Sequence, residues 1–441
     1  MRRVIGLEAA LQAVQEVRHS GSREILTDGN GLYPNRMTPD EFAQRVIADV
    51  RRDGDTAIRR ITNALDGVIT PADTPLEVPA DRVRAAINQV SPATRNALKL
   101  AVKRVEAFQK AAKPVSWRDE SGEFGEEVRP LGRAGVYVPG GSAPLASSVV
   151  MTVVPARVAG VDEIILATPG RAGQDPHPVV LAAAALGGAN RVFSIGGAQA
   201  IAAMAYGTES VPKVDIVCGP GNAFTTAAKK AVFGDVGVDG LYGPTETAVI
   251  ADDSADPVFA AADLLAQAEH DVVALPVLIT VSARIADAIE AEVASQIGAL
   301  PRNRIAAAAV ERGLSIVVDS VYDAISVANA LAPEHLCVSV RDASDHLPQI
   351  RYAGGIFLGE YSAEVMADYV AGPSHVMPTG GTARFASALS VRNFLRVSPF
   401  LNLSEKAFMD LASDASELAR AEGLDGHAAA ADRRRRKLAG E

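Results

Sequence analysis

Four segments that lie far apart in the sequence each place a histidine near a carboxylate or carboxamide side chain. The pairs are Gln267 with His270, Glu334 with His335, Asp368 with His375, and Glu422 with His427. Imidazole nitrogens and carboxylate or amide oxygens are typical ligands of borderline divalent metals, and a histidine beside a carboxylate can transfer protons near neutral pH. The four pairs therefore indicate a metal site with an acid/base pair next to it.

The QAEH segment has the pattern of a helix, in which Gln267 and His270 are three residues apart and share a face. That face could present one oxygen and one nitrogen to a common ion. For an isolated pair of this spacing, the favoured interpretation is a solvated helix end where His270 and Asp271 oppose the helix dipole. Zinc takes three or four ligands, so a metal site requires Asp368, His375 or His427 to complete the shell.

The APEHL segment places Glu334 and His335 side by side after Pro333, before the apolar run HLCVSV. Histidine can remove a proton near neutral pH, and a neighbouring carboxylate can orient it or perform a second proton transfer. A surface glutamate beside a half-buried histidine at a strand edge is the alternative interpretation.

Two blocks of alternating strand and helix patterns must position these residues. Short apolar runs between about residues 133 and 235, and again between about 245 and 358, are typical of buried strands, and helix-period segments follow them. This alternation is typical of parallel sheets. We therefore predict an α/β fold with two Rossmann-like parallel-sheet domains of similar topology that flank a crevice, with small helical segments at the two ends of the chain.

Glycine turns follow three predicted strands of the first block. They are Gly140 with Gly141, Gly196 with Gly197, and Gly219 with Gly221. Backbone N–H groups at such strand-to-helix turns can face a phosphate. None is a full dinucleotide fingerprint, since Phe224 stands where GPGNAF would need its third glycine. The turns therefore leave two alternatives open, a nucleotide site or tight turns that need glycine for a positive φ.

Length and composition limit the class of protein to which these motifs can belong. The 441 residues, at roughly 150 per domain, suggest about three structural units, and 48% hydrophobic with 22% charged residues is ordinary for a globular protein. A net charge of −10 argues against a nucleic-acid partner, because the one strong basic run, residues 433–437, is interpreted as the solvated end of a terminal helix.

The first residues resemble a signal peptide only briefly, since Glu8, Gln12, Gln15 and Glu16 interrupt the apolar run; an amphipathic helix is predicted instead. No uncharged apolar stretch approaches the roughly 18 residues of a membrane span. Two cysteines cannot form a disulfide framework or a thiolate metal site alone. We expect a cytoplasmic protein.

Long motifs run in order across nearly the whole chain from about residue 47: GRAGVYVPGG, SSVVMTVVPARVAGV, GGAQAIAAMAYGTES, CGPGN, GPTETAVIAD, DLLAQAEHD, APEHL, DYVAGPSHVMPTGGTARF and EGLDGH. In this order they resemble histidinol dehydrogenase. The resemblance implies a zinc-dependent, NAD-linked enzyme of histidine biosynthesis. It would oxidise L-histidinol to L-histidine through histidinaldehyde and pass two hydrides to two NAD molecules in succession.

The resemblance also implies roles for residues at matching positions. One zinc ion per subunit would be held by Gln267, His270, Asp368 and the partner subunit's His427. NAD would be contacted by Tyr137, Gln199 and Asn222. The catalytic pair would be Glu334 and His335. Besides the zinc ligands and His335, the residues that bind substrate would be Thr245, His375 and Glu422.

With this resemblance, the chain divides into four expected parts. A helical segment covers 1–32, and a first large α/β domain with the metal and catalytic residues covers 33–136 and 244–389. A second α/β domain on the NAD side covers 137–243. The helical tail 390–441 is too short to bury a core alone, and we expect its exchange in a homodimer with shared active sites.

Some positions depart from the family pattern. Thr245 stands for the usual Ser, Tyr242 for Ala, Ala367 for the Gly before Asp368, and Gln109 lies in the segment of an F-H-x-x-Q pattern. These departures bear on substrate preference. The alternatives are a paralogous zinc/NAD dehydrogenase for another small alcohol, such as a hydroxy-sulfonate, and a non-catalytic metal- or nucleotide-binding regulator.

Overall fold

The computed structural model describes residues 1–19, 26–66, 74–140, 143–170 and 175–441. Its strands are β1 (Arg2–Ile5), β2 (Trp117–Arg118), β3 (Phe124–Pro130), β4 (Arg133–Tyr137), β5 (Glu163–Thr168), β6 (Arg191–Ser194), β7 (Ile216–Cys218), β8 (Gly237–Val238), β9 (Glu246–Ala251), β10 (Leu275–Thr280), β11 (Leu314–Val317), β12 (His335–Ser339), β13 (Gly355–Leu358) and β14 (Leu395–Leu401). Its α-helices are α1 (Leu7–His19), α2 (Pro39–Asp66), α3 (Ala80–Ala85), α4 (Pro92–Ala112), α5 (Ala146–Ala159), α6 (Pro178–Gly187), α7 (Gly197–Tyr206), α8 (Ala223–Val232), α9 (Pro257–Ala268), α10 (Ala283–Ile297), α11 (Asn303–Arg312), α12 (Val321–Leu331), α13 (Glu364–Tyr369), α14 (Glu405–Ala421) and α15 (Asp425–Ala439).

The larger parallel sheet has the strand order β1-β11-β10-β9-β12-β13. All residues of β9, β10 and β12 are buried, because helices cover both faces of the sheet. Side chains of β9 alternate between a core with α1 and α12 and a core with α9 and α10. The residues that immediately precede β9 and β12 therefore lie at the same edge of this sheet.

The smaller parallel sheet has the strand order β6-β5-β4-β7-β8. The chain proceeds outward from β4 through β5 to β6 and then returns to the other side of β4 for β7 and β8. The larger sheet repeats this order, with β9, β10 and β11 on one side and β12 and β13 on the other. The predicted α/β fold with two Rossmann-like parallel sheets of similar topology is confirmed. The switch point of the smaller sheet lies between β4 and β7.

Helices that precede the smaller sheet in the chain cover it. Helix α2 packs against α7 and α8, although its path is interrupted at Gly54, where φ is 53°. Helix α4 packs against α5. Helices α2 and α4 thus pack on the helices that flank the smaller sheet. The four-part division of the chain itself stays a prediction.

The described chain divides into two compact units. The first comprises Met1–Lys113 and Leu131–Phe394, and it contains both parallel sheets. The second comprises Pro114–Pro130 and Leu395–Glu441. It combines an antiparallel sheet of order β14-β3-β2 with two helices, α14 and α15, that pack against each other.

Both ends of the chain, predicted as helical segments, also contain a strand. Residues 2–5 form β1, which pairs with β11 and completes the edge of the larger sheet, so the amphipathic helix starts only at Leu7. The tail from residue 390 includes β14, which pairs along its whole length with β3. Both strands gain their stability from hydrogen bonds to distant partners, which local patterns do not reveal. Within the described ranges, no helix is long and apolar enough to cross a membrane.

Candidate active site

Glu334 is a buried carboxyl group that contacts the beginning of β9. Its Oε2 accepts a hydrogen bond from Thr245 Oγ1 at 2.6 Å and another from the backbone N–H of Glu246 at 3.1 Å. Burial raises the pKa of Glu334 to about 7, although the neighbouring His335 and these hydrogen bonds act in the opposite direction. The side chain can therefore both accept and release a proton near neutral pH.

His335, the first residue of β12, is buried and stacks on the Phe357 ring at a centroid distance of 5.9 Å. Its Nδ1 lies 3.3 Å from the carbonyl oxygen of Glu246. Its Nε2 lies 3.5 Å from Asp368 Oδ1 and has no hydrogen-bond partner in the described part of the chain. Burial by itself lowers the pKa of His335, but the surrounding carboxylates, Glu334 foremost, outweigh burial and raise it.

Asp368 lies at the centre of a group of imidazoles. Burial raises the pKa of its carboxyl group, but His335, His375 and His270 together lower it below the usual value. His375 directs Nδ1 to the backbone oxygen of Asp368 at 2.8 Å, and its Nε2 lies 3.1 Å from Ser148 Oγ in α5. The carboxylate thus remains ionised although it is largely buried, which is the condition for holding a cation.

Gln267, near the end of α9, connects this carboxylate to Glu334 through Thr245. Its Oε1 accepts a hydrogen bond from Thr245 Oγ1 at 2.9 Å, and its Nε2 donates to Asp368 Oδ2 at 3.3 Å. His270 follows α9 at a solvent-exposed position, where desolvation by neighbouring protein atoms lowers its pKa and Asp368 opposes that effect. Thr245 therefore bridges Gln267 and Glu334 through one hydroxyl group.

The structure brings six of the predicted site residues into one hydrogen-bonded or ion-paired cluster: Thr245, Gln267, Glu334, His335, Asp368 and His375. His270 belongs to it through its electrostatic coupling to Asp368. Glu422 and His427 are instead exposed residues of the second compact unit, just after α14 and within α15. In the described ranges, no three His, Cys, Asp or Glu side chains group so that they could hold a metal ion.

The residues predicted to contact the dinucleotide lie at the carboxyl edge of the smaller sheet. Tyr137 ends β4, and its hydroxyl accepts a hydrogen bond from the backbone N–H of Gly197 at 3.1 Å. Gln199 is buried in α7 and donates to Thr62 at 3.2 Å, whereas its Oε1 has no partner among the described residues. Asn222 caps α8 by accepting hydrogen bonds from the first backbone N–H groups of that helix. The three side chains therefore border the switch point of the sheet.

Two of the glycines at this edge stand where the backbone is too closely packed for a side chain. Gly219 has a φ of +113°, and a Cβ there would overlap the Tyr137 carbonyl oxygen, so no other residue fits. A Cβ on Gly221 would collide with Thr225 Oγ1, and it would also approach the Tyr137 ring at 3.5 Å. Gly141 lies outside the described residues.

One buried carboxyl group near the cluster was not predicted. Glu364 begins α13, four residues before Asp368, and its Oε2 accepts a hydrogen bond from Thr247 at 2.8 Å. Burial raises its pKa to about 7, an effect that the charge of His335 opposes. The i, i+4 spacing of Glu364 and Asp368 on one helix face was the signal that could have identified it.

Comparisons with known proteins agree with this arrangement. A model of the histidinol dehydrogenase family matches residues 35–435. The sequence is 50% identical over 416 residues to a histidinol dehydrogenase of Deinococcus radiodurans, with 93% of this chain and 94% of that protein covered. It is 49% identical over 427 residues to one of Thermus thermophilus, with coverage of 96% and 100%. A crystal structure of histidinol dehydrogenase from Elizabethkingia anophelis superposes with a TM-score of 0.92 at 33% identity and covers 99% of this chain and 98% of that one.

These matches extend over both parallel sheets and the cluster at their edges. They confirm the resemblance and the function that it implied, an oxidoreductase of histidine biosynthesis that acts on the small molecule histidinol. They do not support the paralogous dehydrogenase or the non-catalytic regulator. The chain belongs to the histidinol dehydrogenase family.

Proposed function

We propose that the cluster around Glu334, His335 and Asp368 oxidises L-histidinol to L-histidine through histidinaldehyde, with one zinc ion per subunit and NAD as hydride acceptor. The observation that carries the proposal is the convergence of Thr245, Gln267, Glu334, His335 and Asp368 through hydrogen bonds and ion pairs. These side chains include an ionised carboxylate, a carboxyl group whose pKa is about 7, and an imidazole with one nitrogen that has no partner among the described residues.

The residues in this cluster fit zinc. Gln267, His270 and Asp368 offer one amide oxygen, one imidazole nitrogen and one carboxylate oxygen, a donor set suited to a borderline ion. The buried Nε2 of His335 lies 3.5 Å from Asp368 Oδ1 and has no hydrogen-bond partner among the described residues, so it is an orphaned polar atom beside the proposed ligands. Zinc there would act as a Lewis acid and a template for the substrate's nitrogen and oxygen atoms. A fourth ligand is expected from the partner subunit's His427.

The edge of the smaller sheet fits a dinucleotide. Gln199 Oε1 has no partner among the described residues, and the glycines beside Tyr137 allow a ligand to approach the backbone closely. Both features lie near the switch point, where dinucleotides bind in such folds. Asn222 lies at the N-terminus of α8, where a helix favours anionic phosphate. NAD bound there would accept one hydride in each half of the reaction.

The chain's own groups account for the proton transfers. In its neutral form, His335 would take the hydroxyl proton of histidinol at Nε2, while its Nδ1 lies against the Glu246 carbonyl oxygen. For the second half, Glu334 can take a proton from the water that adds to the aldehyde, because its pKa is about 7. Thr245, His375 and Glu422 are proposed to bind the substrate. Each half transfers two electrons as a hydride; the first half releases one proton and the second, which forms the carboxylate, releases two. The complete oxidation therefore consumes one water and forms two NADH and three protons.

The stoichiometry of NADH tests this proposal. Purified protein with zinc, L-histidinol as limiting substrate and excess NAD should form two NADH per histidinol, measured by absorbance at 340 nm, with histidine as the product identified by mass spectrometry. One NADH per substrate with accumulation of the aldehyde would contradict the four-electron reaction. The homodimer with shared sites and the cytoplasmic location stay predictions.

A further inference from the structure

A buried ion pair lies behind the proposed cofactor turn and has no role in the chemistry described above. Lys229 of α8 and Asp239 form a contact of 2.6 Å, and their side chains are 2% and 0% exposed. A buried pair contributes little to stability over an apolar replacement, because removing both charges from water offsets their attraction. The contacts of the pair indicate instead that it fixes the geometry of the backbone next to it.

Both members of the pair bind the same glycine. Lys229 Nζ donates a hydrogen bond to the carbonyl oxygen of Gly219 at 2.9 Å, and Asp239 Oδ2 accepts one from the N–H of Gly219 at 2.8 Å. Gly219 is buried and follows β7, so these backbone groups would otherwise be left without partners. Two side chains thus determine the orientation of the peptide groups at the start of the GPGN turn.

Tyr242 extends this network toward the substrate side. Its hydroxyl donates to Asp239 Oδ2 at 3.0 Å, and Lys229 Nζ lies 4.6 Å from the centre of its ring. Burial raises the pKa of Tyr242 well above its usual value, so the phenol remains a donor. Its backbone oxygen accepts from Thr226 of α8 at 2.8 Å. Three residues later, Thr245 donates its hydroxyl to Glu334.

We propose that Lys229, Asp239 and Tyr242 are positioning residues that hold the cofactor turn and the segment leading to Thr245 in one fixed arrangement. A dinucleotide bound at the turn is thereby aligned with the Glu334 cluster. This inference rests on the proposed function, since it requires NAD at the Gly219–Asn222 turn. It also gives a role to Tyr242, one of the departures from the family pattern.

Tyr242→Phe is the decisive variant, because it keeps the ring over Lys229 and removes only the hydrogen bond to Asp239. The KM for NAD should rise about tenfold, the factor that corresponds to one hydrogen bond to a charged group. The KM for histidinol and the zinc content should remain at the wild-type values. Asp239→Asn should raise the KM for NAD further, since it leaves Lys229 without its counter-charge. The matched control is Lys230→Met, which removes an exposed lysine from the next position of the same helix.

Three results would be informative. A selective rise in the KM for NAD in Tyr242→Phe, absent from Lys230→Met, supports the inference. A lower melting temperature of Tyr242→Phe with unchanged KM for NAD shows a merely structural role and overturns it. If the wild-type protein binds no NAD by calorimetry, the proposed function fails and the inference fails with it.

Discussion

At the residue scale, the chemistry of the site depends on one hydroxyl and two carboxyl groups. Thr245 Oγ1 lies 2.6 Å from Glu334 Oε2 and 2.9 Å from Gln267 Oε1, so its one hydroxyl hydrogen can be donated to either, and a serine in its place would retain that hydroxyl. Asp368 stays ionised while Glu334 titrates near pH 7, because imidazoles surround the former and burial dominates the latter. Two carboxyl groups in one cluster are thereby suited to different tasks, one to a cation and the other to a proton.

The first prediction concerns Glu334→Gln. The amide keeps an oxygen that can accept the hydrogen bond from Thr245, but it cannot take a proton from water. We expect oxidation of histidinaldehyde to slow by about 100-fold, the lower range for loss of a general base, and oxidation of histidinol to slow much less. Single-turnover measurements that start from each substrate provide both rates in the same variant. Equal slowing of the two halves would contradict the role proposed for Glu334.

The second prediction concerns removal of the metal. A chelator should abolish turnover, and zinc or another borderline divalent ion should restore it, because nitrogen and oxygen donors without thiolate permit exchange. The melting temperature should rise again on addition of metal, since a ligand of the native state stabilises it. Metal content is checked by mass spectrometry. Full activity after verified removal of bound metal would contradict the zinc site.

At the element scale, the strands were predictable wherever helices cover both faces of a sheet. The runs LPVLIT and HLCVS became β10 and β12 because burial on both sides selects continuous apolar residues. For the edge strand β1 the sequence predicts part of a helix instead. Residues 2–5 are extended only because they pair with β11, a partner that the local pattern does not reveal. Local patterns therefore predict central strands better than edge strands.

Asp49 is a buried carboxyl group of helix α2. Burial raises the pKa of this carboxyl group, but hydrogen bonds from Arg60 and Tyr33 and the charge of Arg52 lower it by more. Because the pKa in the folded protein lies below that in the unfolded chain, Asp49 stabilises the fold above about pH 4, and this contribution disappears as the pH falls through the folded value.

Asp49→Asn should therefore lower the free energy of unfolding by about 2 kcal/mol at pH 7, as expected for a buried acceptor that loses its charge. The difference from wild type should shrink below about pH 4. Urea unfolding at a series of pH values measures both effects. Asp53→Asn is the control, since this neighbouring carboxylate pairs with Arg52 near the surface and should matter less. A pH-independent difference would exclude the ionised form of Asp49 as the cause.

At the scale of the whole molecule, Glu422 and His427 belong to the second compact unit of the chain, whereas the cluster proposed to be catalytic belongs to the first. A homodimer with exchanged tails would supply these residues to the partner's site through a two-fold axis. Such sharing makes activity depend on which chain carries each residue, and mixed dimers can test it.

We therefore predict complementation between two inactive variants, His427→Ala and His335→Asn. With random pairing, half the dimers are mixed and one of their two sites is intact, so roughly a quarter of wild-type activity should return on co-expression. A matched control combines His427→Ala with Glu422→Ala, because two tail variants leave no site intact and should not complement. No recovery in the first mixture, despite proven heterodimers, would place His427 in the site of its own chain.

The sequence by itself determined the residue types at the site, the adjacency of Glu334 and His335, and the central strands of both sheets. Those features are local, since side-chain chemistry and apolar periodicity depend on neighbours along the chain. Only the tertiary structure decided that Thr245 contacts Glu334 across 89 residues and that Gln267 contacts Asp368 across 101. It also created the burial that raises the pKa of Glu334 and encloses the pair of Lys229 and Asp239. The physical reason is that β9 and β12 become neighbours through the crossover order of the sheet, and local propensity contains no information about which strands pair.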